Sequence, residues 1–428
     1  MWLKDNFYGV LKKGKKNSFI KGFSFLLGGT VITQIITLVL APVLTRLYSP
    51  EEYGINALYI STISMLGVFA TLRFNSAIVI AENIFERNRL IRLCIITTIS
   101  ISVISLITIG GIQFSGHYRN FGWLWFVPLS VLLMGFFEIL YASILNQNKY
   151  KVLAKITIVK ITIQGVAQIL FSFFGFGYAG LILGNILSFV VVLFILLNFH
   201  HLIFVWKNIV DFHRYWQTFK TFLEYPKFAF PAELASMASL MLFPFLISYL
   251  YTVEEVGFFA LANKLIGIPI GLFGNSVRQV FVREVSPYAK NFNMLRKKYT
   301  QTSLVLFFLG LASSGVLYIL GPSFFSFVFG KEWVMAGIYV QALILLLLAR
   351  MTITPLLSIL IVIKKQRMSL IINFSLVFAM VLCTTVYKIF FSAQIQSFLF
   401  AISLVLSLIY FSSFFLILKI LKNKNDED

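Results

Sequence analysis

The stretch LYSPEEYGINAL runs from Leu47 to Leu58, and LYTVEEVGFFAL runs from Leu250 to Leu261. Seven of the twelve positions are identical, and the offset is a constant 203 residues in a chain of 428. A polar hinge that returns after close to half the chain points to two halves built on one plan. What those halves are made of follows from the sequence on either side of each hinge.

Both hinges are embedded in apolar sequence. Hydrophobic residues form 59% of the chain and charged residues 12%, with a mean hydropathy of +0.89, whereas soluble proteins are about one-quarter charged. The 47 phenylalanines suit lipid-facing helices better than a water-exposed surface. A hydrocarbon core of roughly 30 Å takes about 20 apolar residues in helical form. On that basis twelve spans are expected, at 19–45, 54–81, 93–113, 121–145, 152–173, 178–199, 228–250, 256–282, 301–320, 334–360, 368–389 and 397–418. They are continuously apolar rather than alternating, which excludes a closed barrel. The fold class is an all-α polytopic membrane protein. The first apolar run is too long for a signal-peptide core and is expected to stay as the first span.

The net charge of +20 has a topological reading that needs no nucleic acid. With the N-terminus in the cytoplasm, 27 Lys and Arg fall on the inner side and four, Arg46, Arg119, Lys331 and Lys388, on the outer. This is the positive-inside pattern, and it puts both termini in the cytoplasm. Both hinges then face outward, joining spans 1 and 2 and spans 7 and 8. Each half has an even number of spans, so both halves enter the membrane in the same direction, as parallel repeats do. The expected domains are an N-terminal six-helix lobe at 1–199, a cytoplasmic linker at 200–227 and a C-terminal six-helix lobe at 228–428, around a central cavity. Within the linker, FVWKNIVDFHRYWQTFKTFL (204–223) reads either as an amphipathic helix on the inner membrane face or as a charged loop. A repeated two-lobe membrane protein points to transport, with the substrate held near the midplane.

Ionisable residues inside spans are costly and usually face a cavity or a partner. Here they are Arg73, Lys160, Lys264, Arg278 and Arg350 against Glu138 and Glu233. Most lie toward the cytoplasmic half, with Lys264 alone in the outer half. The functional reading is a cationic vestibule for an anionic headgroup, since an arginine fork holds phosphate oxygens in pairs and stays charged. The alternatives are that Lys160 and Arg278 snorkel to the interface, or that an internal ion pair forms, such as Glu138 with Arg73. Gln34, Thr37, Asn56, Asn75, Asn263 and Asn275 mark faces unsuited to lipid. The candidate substrate-binding set is Arg73, Arg350, Lys264, Arg278, Lys160, Asn75, Asn275 and Gln34. Glu138 and Glu233 are the candidates for coupling to a proton or sodium gradient, which nothing in the sequence establishes. Pro42, Pro231, Pro244, Pro269 and Pro355 loosen helices where bending would help gating.

Other chemistries find little support. His117, His200, His201 and His213 show no metal-ligand spacing with a Cys or carboxylate, so no metal is expected. Cys94 and Cys383 sit in apolar runs and read as free buried thiols. There is no GxxxxGK[ST] for a built-in ATPase, and no nucleophile with a plausible base, so neither an enzyme nor a cofactor is expected.

The stretch GTVITQIITLVLAPVLTRLYSPEEYGINALYISTISMLGVFATLRFNSAIVI (29–80) resembles the opening of polysaccharide flippases of the O-antigen and capsule type, in the multidrug, oligosaccharidyl-lipid and polysaccharide (MOP) exporter superfamily. YPKFAFPAELASMASLMLFPFLISYLYTVEEVGFFALANKLIGIPIGLFGNSVRQVFVREVS (225–286) is similar to the start of that family's second half. The resemblance implies a MATE-like transporter with two lobes and a cationic central cavity, in the cytoplasmic (inner) membrane of a bacterium. Its implied substrate is an undecaprenyl-pyrophosphate-linked oligosaccharide, moved from the inner to the outer leaflet, with polysaccharide polymerase machinery as the implied partner. The TLRFNSAI segment matches the family pattern and contains Arg73; Arg350 and Lys264 are assigned from burial alone. The competing readings are a flippase for another lipid-linked precursor such as that of peptidoglycan, a cation-coupled drug exporter, and a membrane scaffold for glycan assembly. An interior with more cations than carboxylates argues against the drug exporter.

Overall fold

A computed structural model of the chain describes residues 25, 28–114, 121–199, 212–289, 291–391 and 394–423. The basic N-terminal segment, His117, His200, His201 and the first part of the linker lie outside the described residues. The rest is helical. In chain order the helices are α1 (Gly28–Leu47), α2 (Pro50–Thr71), α3 (Phe74–Ile80), α4 (Ile84–Phe114), α5 (Val127–Asn146), α6 (Tyr150–Phe173), α7 (Tyr178–Phe199), α8 (Phe212–Thr221) and α9 (Phe230–Met241). They continue with α10 (Phe243–Leu250), α11 (Val253–Pro269), α12 (Asn275–Val285), α13 (Phe292–Phe329), α14 (Val334–Ala342), α15 (Ile344–Ile353), α16 (Ile359–Val362), α17 (Gln366–Phe390) and α18 (Ile395–Asn423). Among the described residues eleven helical stretches are long and apolar enough to span a bilayer, and a twelfth is a pair bent by 46° between Met241 and Phe243. The chain is a multi-pass, all-helical membrane protein.

The helices pack as two compact units. One holds the described residues up to Leu40 together with Leu66–Phe230, and the other holds Ala41–Met65 with Pro231 onward. The first hinge therefore packs inside the second unit, beside its own repeat. At the hinge itself, Ser49 and Glu52 form a reciprocal capping box: the Glu52 amide donates to Ser49 Oγ at 3.3 Å and the Ser49 amide donates to Glu52 Oε2 at 2.8 Å. Pro50 opens α2, where its missing N–H costs nothing. In the repeat, Thr252 caps α11 by accepting from the Glu255 amide at 3.4 Å. Each polar hinge is thus a helix start.

The glycine of each hinge explains the rest of the motif. A Cβ on Gly54 would lie 1.9 Å from the Val253 carbonyl oxygen, and a Cβ on Gly257 would lie 1.8 Å from that of Pro50. Pro50 and Val253 occupy equivalent positions of the repeat, so the two contacts are mirror copies across a local two-fold. Such an approach puts two positively polarised helix ends side by side. Glu51, Glu52, Glu254 and Glu255 in the first turns offset that charge. Trp333 covers the crossing: its Nε1 donates to the Thr45 carbonyl at 2.9 Å and its ring meets Tyr53 edge-on at 5.0 Å. Tyr339 donates its hydroxyl to Glu255 Oε2. The aromatic side chains at the crossing are buried, with Tyr48, Tyr53 and Trp333 each less than 10% exposed, whereas Ser49, Glu51, Thr252 and Glu254 are exposed.

Four of the expected spans are interrupted. The 54–81 span breaks at Leu72 and Arg73, both with positive φ (46° and 65°), a conformation that costs non-glycine residues roughly 1–2 kcal/mol. No proline is present, and packing pays that cost. Phe74, Ala77 and Ile78 are fully buried, and Thr98 Oγ1 donates at 3.1 Å to the Ala70 carbonyl, which the end of α2 leaves free. Asn146 Nδ2 closes the other end of α3 by donating to the Val79 and Ala81 carbonyls at 3.1 and 3.0 Å. The 228–250 span bends ahead of Pro244, and the 256–282 span passes through a π-helical turn (Ile270–Gly274) after Pro269. The 334–360 span is divided among α14, α15, a 3-10 turn (Thr354–Ser358) holding Pro355, and α16. Pro42 instead sits in an unbroken α1, and Pro231 follows the π-helical turn Tyr225–Ala229 that runs directly into α9.

Two predictions follow from the hinge. Gly257→Val should lower thermal stability in detergent by roughly 3 kcal/mol or more, because backbone cannot yield to a new Cβ. Gly267→Ala, with nothing within 4 Å of its Cβ position, should leave the melting temperature nearly unchanged. Burial with Glu52 nearby pushes the Tyr48 phenol up to about 12, and burial with Tyr387 and Glu255 nearby does the same for Tyr251. A raised folded-state pKa means that these phenols stabilise fully below pH 10, their unfolded value, and that the contribution is lost as pH rises toward 12. Denaturation measured between pH 9 and 12 should therefore show a steep alkaline loss that Tyr48→Phe/Tyr251→Phe flattens.

Candidate functional site

Each unit contains its own cleft with a charged wall. In the first unit the cleft lies among α5, α6 and α7, where Phe137, Tyr141 and Phe189 surround Glu138, Thr157 and Lys160. Asn75 on α3 donates Nδ2 to Glu138 Oε2 at 3.4 Å, and its own Oδ1 accepts from the Ser76 amide at 3.0 Å. Lys160 Nζ lies 4.0 Å above the Phe189 ring centre, and Glu138 is close enough to act on it electrostatically. The break before α3 is what lets Asn75 turn to α5. The structure thus joins three residues that the sequence proposed for two separate roles: Asn75 and Lys160 for substrate, Glu138 for coupling.

In the second unit the cleft runs among α9, α11, α15, α17 and α18. Most of its wall is apolar, including Phe243, Phe259 and Leu346, and Arg350 on α15 is the charged residue in it. Ser239, Asn263 and Tyr410 add hydroxyl and amide groups. Tyr410 lies close enough to Arg350 to feel its charge. An arginine, an amide and two hydroxyls converge on an apolar slot of about 20 Å³, the room of about one water; the donor chemistry suits an oxyanion.

The remaining candidates lie apart from the lining of these clefts. Arg73 is half-buried at the left-handed start of α3, two residues before Asn75. Gln34 is half-buried on α1, Lys264 is half-buried on α11 beside Asn263, and Glu233 is half-buried in the first turn of α9. Arg278 is exposed on α12. Asn275 opens α12, and its side chain is outside the described residues. Tyr410 escaped the sequence reading. Its signal was a polar stripe at helical spacing in α18, Ser403, Ser407, Tyr410 and Ser413, all buried. Small hydroxyls and tyrosine in an apolar segment do not stand out until their burial is known. Among the described residues no group of three or more His, Cys, Asp or Glu is placed to hold a metal ion.

Residues 43–337 match the family described as "Polysaccharide biosynthesis protein". The chain belongs to the polysaccharide biosynthesis protein family. Among solved structures it is similar to the lipid II flippase MurJ in an inward closed conformation, at 15% identity over 94% of this chain and 87% of that one, with a TM-score of 0.68. It is also similar to an inward-facing multidrug resistance MATE family transporter of the MOP superfamily, at 14% identity over 93% and 95% of the two chains, with a TM-score of 0.67. A MOP superfamily transporter from Pyrococcus furiosus aligns over 94% of this chain and 96% of that chain at 14% identity and TM-score 0.61. At such identities the likeness is one of fold. No curated protein sequence matches the chain.

The Glu138–Lys160 arrangement yields a direct test of coupling between the two side chains. Lys160→Met and Glu138→Gln should each destabilise the protein, and the double variant should lose less than their sum, with a coupling of about 1–3 kcal/mol. The thermal-unfolding double-mutant cycle reads it; additive losses would show that the two groups act independently.

Proposed function

We propose that the protein is a flippase that carries polyprenyl-pyrophosphate-linked oligosaccharide units from the cytoplasmic to the outer leaflet by alternating access, for surface polysaccharide assembly. The observation that carries this reading is Arg350, an arginine in the wall of an apolar membrane cleft in a chain of the polysaccharide biosynthesis family. A pyrophosphate cannot enter hydrocarbon without a compensating charge. An arginine fork that stays ionised supplies it; the slot beside Arg350 holds about 20 Å³, so alternating access has to part the surrounding helices to admit the headgroup.

Other observations support the reading. The fold is shared with a flippase of another lipid-linked precursor and with MATE transporters. Arg73 lies half-buried at the break between α2 and α3 and is the second candidate for the pyrophosphate. Lys160 beside Glu138 is a weaker candidate for an anion, since the carboxylate partly neutralises it. Glu138 is the better placed of the two carboxylates for coupling to an ion gradient, because it lines the first unit's cleft beside Lys160. The excess of Lys and Arg in the loops assigned to the cytoplasm supports both termini lying inside.

The test is a depletion strain in which the leaflet position of lipid-linked oligosaccharides is measured. Complete units should accumulate on the cytoplasmic face, with loss of surface polymer. Complementation with Arg350→Ala should reduce outward units by about tenfold or more, as expected for losing a charge-assisted hydrogen bond, at normal protein level. Normal leaflet distribution in the depleted strain, accompanied by sensitivity to cationic drugs, would move the protein to the drug-exporter branch.

A further inference from the structure

The short helix α8 is absorbed by neither cleft. At ten residues it is about 15 Å long, half the thickness of a hydrocarbon core, so it cannot span. It lies between α7 and the start of the bent span at Tyr225, which fixes it at a membrane boundary. One side of it is anchored in the protein: Thr218 is buried, and Phe219, Phe222 and Tyr225 pack on the apolar core of the first unit. The ring of Phe219 meets Phe74, the residue that follows Arg73, at 5.7 Å. The other side is exposed and mixed. Trp216 is 50% exposed, with its indole stacked parallel to Phe219 at 5.6 Å and Lys220 Nζ 5.4 Å over its face. Beyond it Leu223 and Phe228 are exposed, and Lys227 Nζ sits 5.2 Å over the Phe228 ring. Glu224 is the one exposed carboxylate in the described stretch from Trp216 to Phe228.

We propose that the exposed face of α8 and the turn after it is a binding surface for an anionic phospholipid leaflet, and that Phe219 transmits this contact to α3 and Arg73. Indole, leucine and phenylalanine enter the acyl boundary while lysines stay at headgroup depth. Each lysine gains from a negative surface potential. The surface lies on the side rich in Lys and Arg, where positive-inside topology puts the cytoplasmic leaflet. The stack Trp216–Phe219–Phe74 is a continuous aromatic path from the lipid face to the residue adjoining Arg73.

The test places a nitroxide at position 216 (Trp216→Cys in a Cys94→Ser/Cys383→Ser background) in the full chain. The protein is reconstituted in vesicles of phosphatidylcholine alone or mixed with phosphatidylglycerol. Accessibility to oxygen relative to a water-soluble nickel chelate should rise several-fold when phosphatidylglycerol is present, and Lys220→Glu/Lys227→Glu should abolish that rise. A second label at Ala81→Cys, just past α3, should narrow its motion with the same lipid, and Phe219→Ala should remove this response without changing the depth at 216. A label at 216 that stays open to the chelate in both vesicles would overturn the lipid surface. A label at 81 indifferent to lipid would overturn the transmission. Neither readout depends on the transported substrate.

Discussion

Two helices can bring backbone against backbone only where the residues at the crossing lack a Cβ, and α2 and α11 meet that condition twice. Gly54 lies on the Val253 carbonyl and Gly257 on that of Pro50, so each helix start presses on the first turn of the other. The capping residues, the glutamates and the glycines of the repeated hinge all serve this contact. Ser49 and Thr252 cap the helices, the paired glutamates offset two adjacent positive helix ends, and the glycines permit the approach. The duplicated motif is therefore one structural joint, made twice because a two-fold contact needs the same surface from both sides.

That joint has a consequence for the site. It holds Ala41–Met65 in the second compact unit, while α2 continues into the first and ends at a break placed by two left-handed residues. The break turns α3 so that Asn75 reaches Glu138, and puts Arg73 at a helix start instead of within a helix. Thr98, Asn146 and Phe219 hold α3 from three neighbouring segments. Strained backbone that is braced from several sides near ionisable groups is a common mark of a working site.

Charge is distributed by the same economy. In the first unit the cleft carries a cation and a carboxylate within reach of one another, nearly balanced. In the second, the described lining places Arg350 with the neutral polar side chains Ser239, Asn263 and Tyr410. The two clefts therefore differ in charge, within a polysaccharide biosynthesis protein that has the fold of MOP superfamily transporters.

The twelve apolar spans and the repeated hinge were legible in the sequence because hydropathy and helix-start chemistry are local. So were the interior charges, since Arg350 and Glu138 stand out against Leu and Ile. Which charges face which cleft was not, because a helix 20 residues long turns its side chains through every direction and only packing selects one. The break at Arg73 had no proline to announce it; it exists because the buried Phe74, Ala77 and Ile78 outweigh the local preference for a continuous helix. Tyr410 came to line the second unit's cleft for the same reason. Sequence by itself determined that the chain crosses the membrane repeatedly and where it carries charge; tertiary packing decided which of those charges meet, because contacts between distant segments are paid for by burial that no local pattern records.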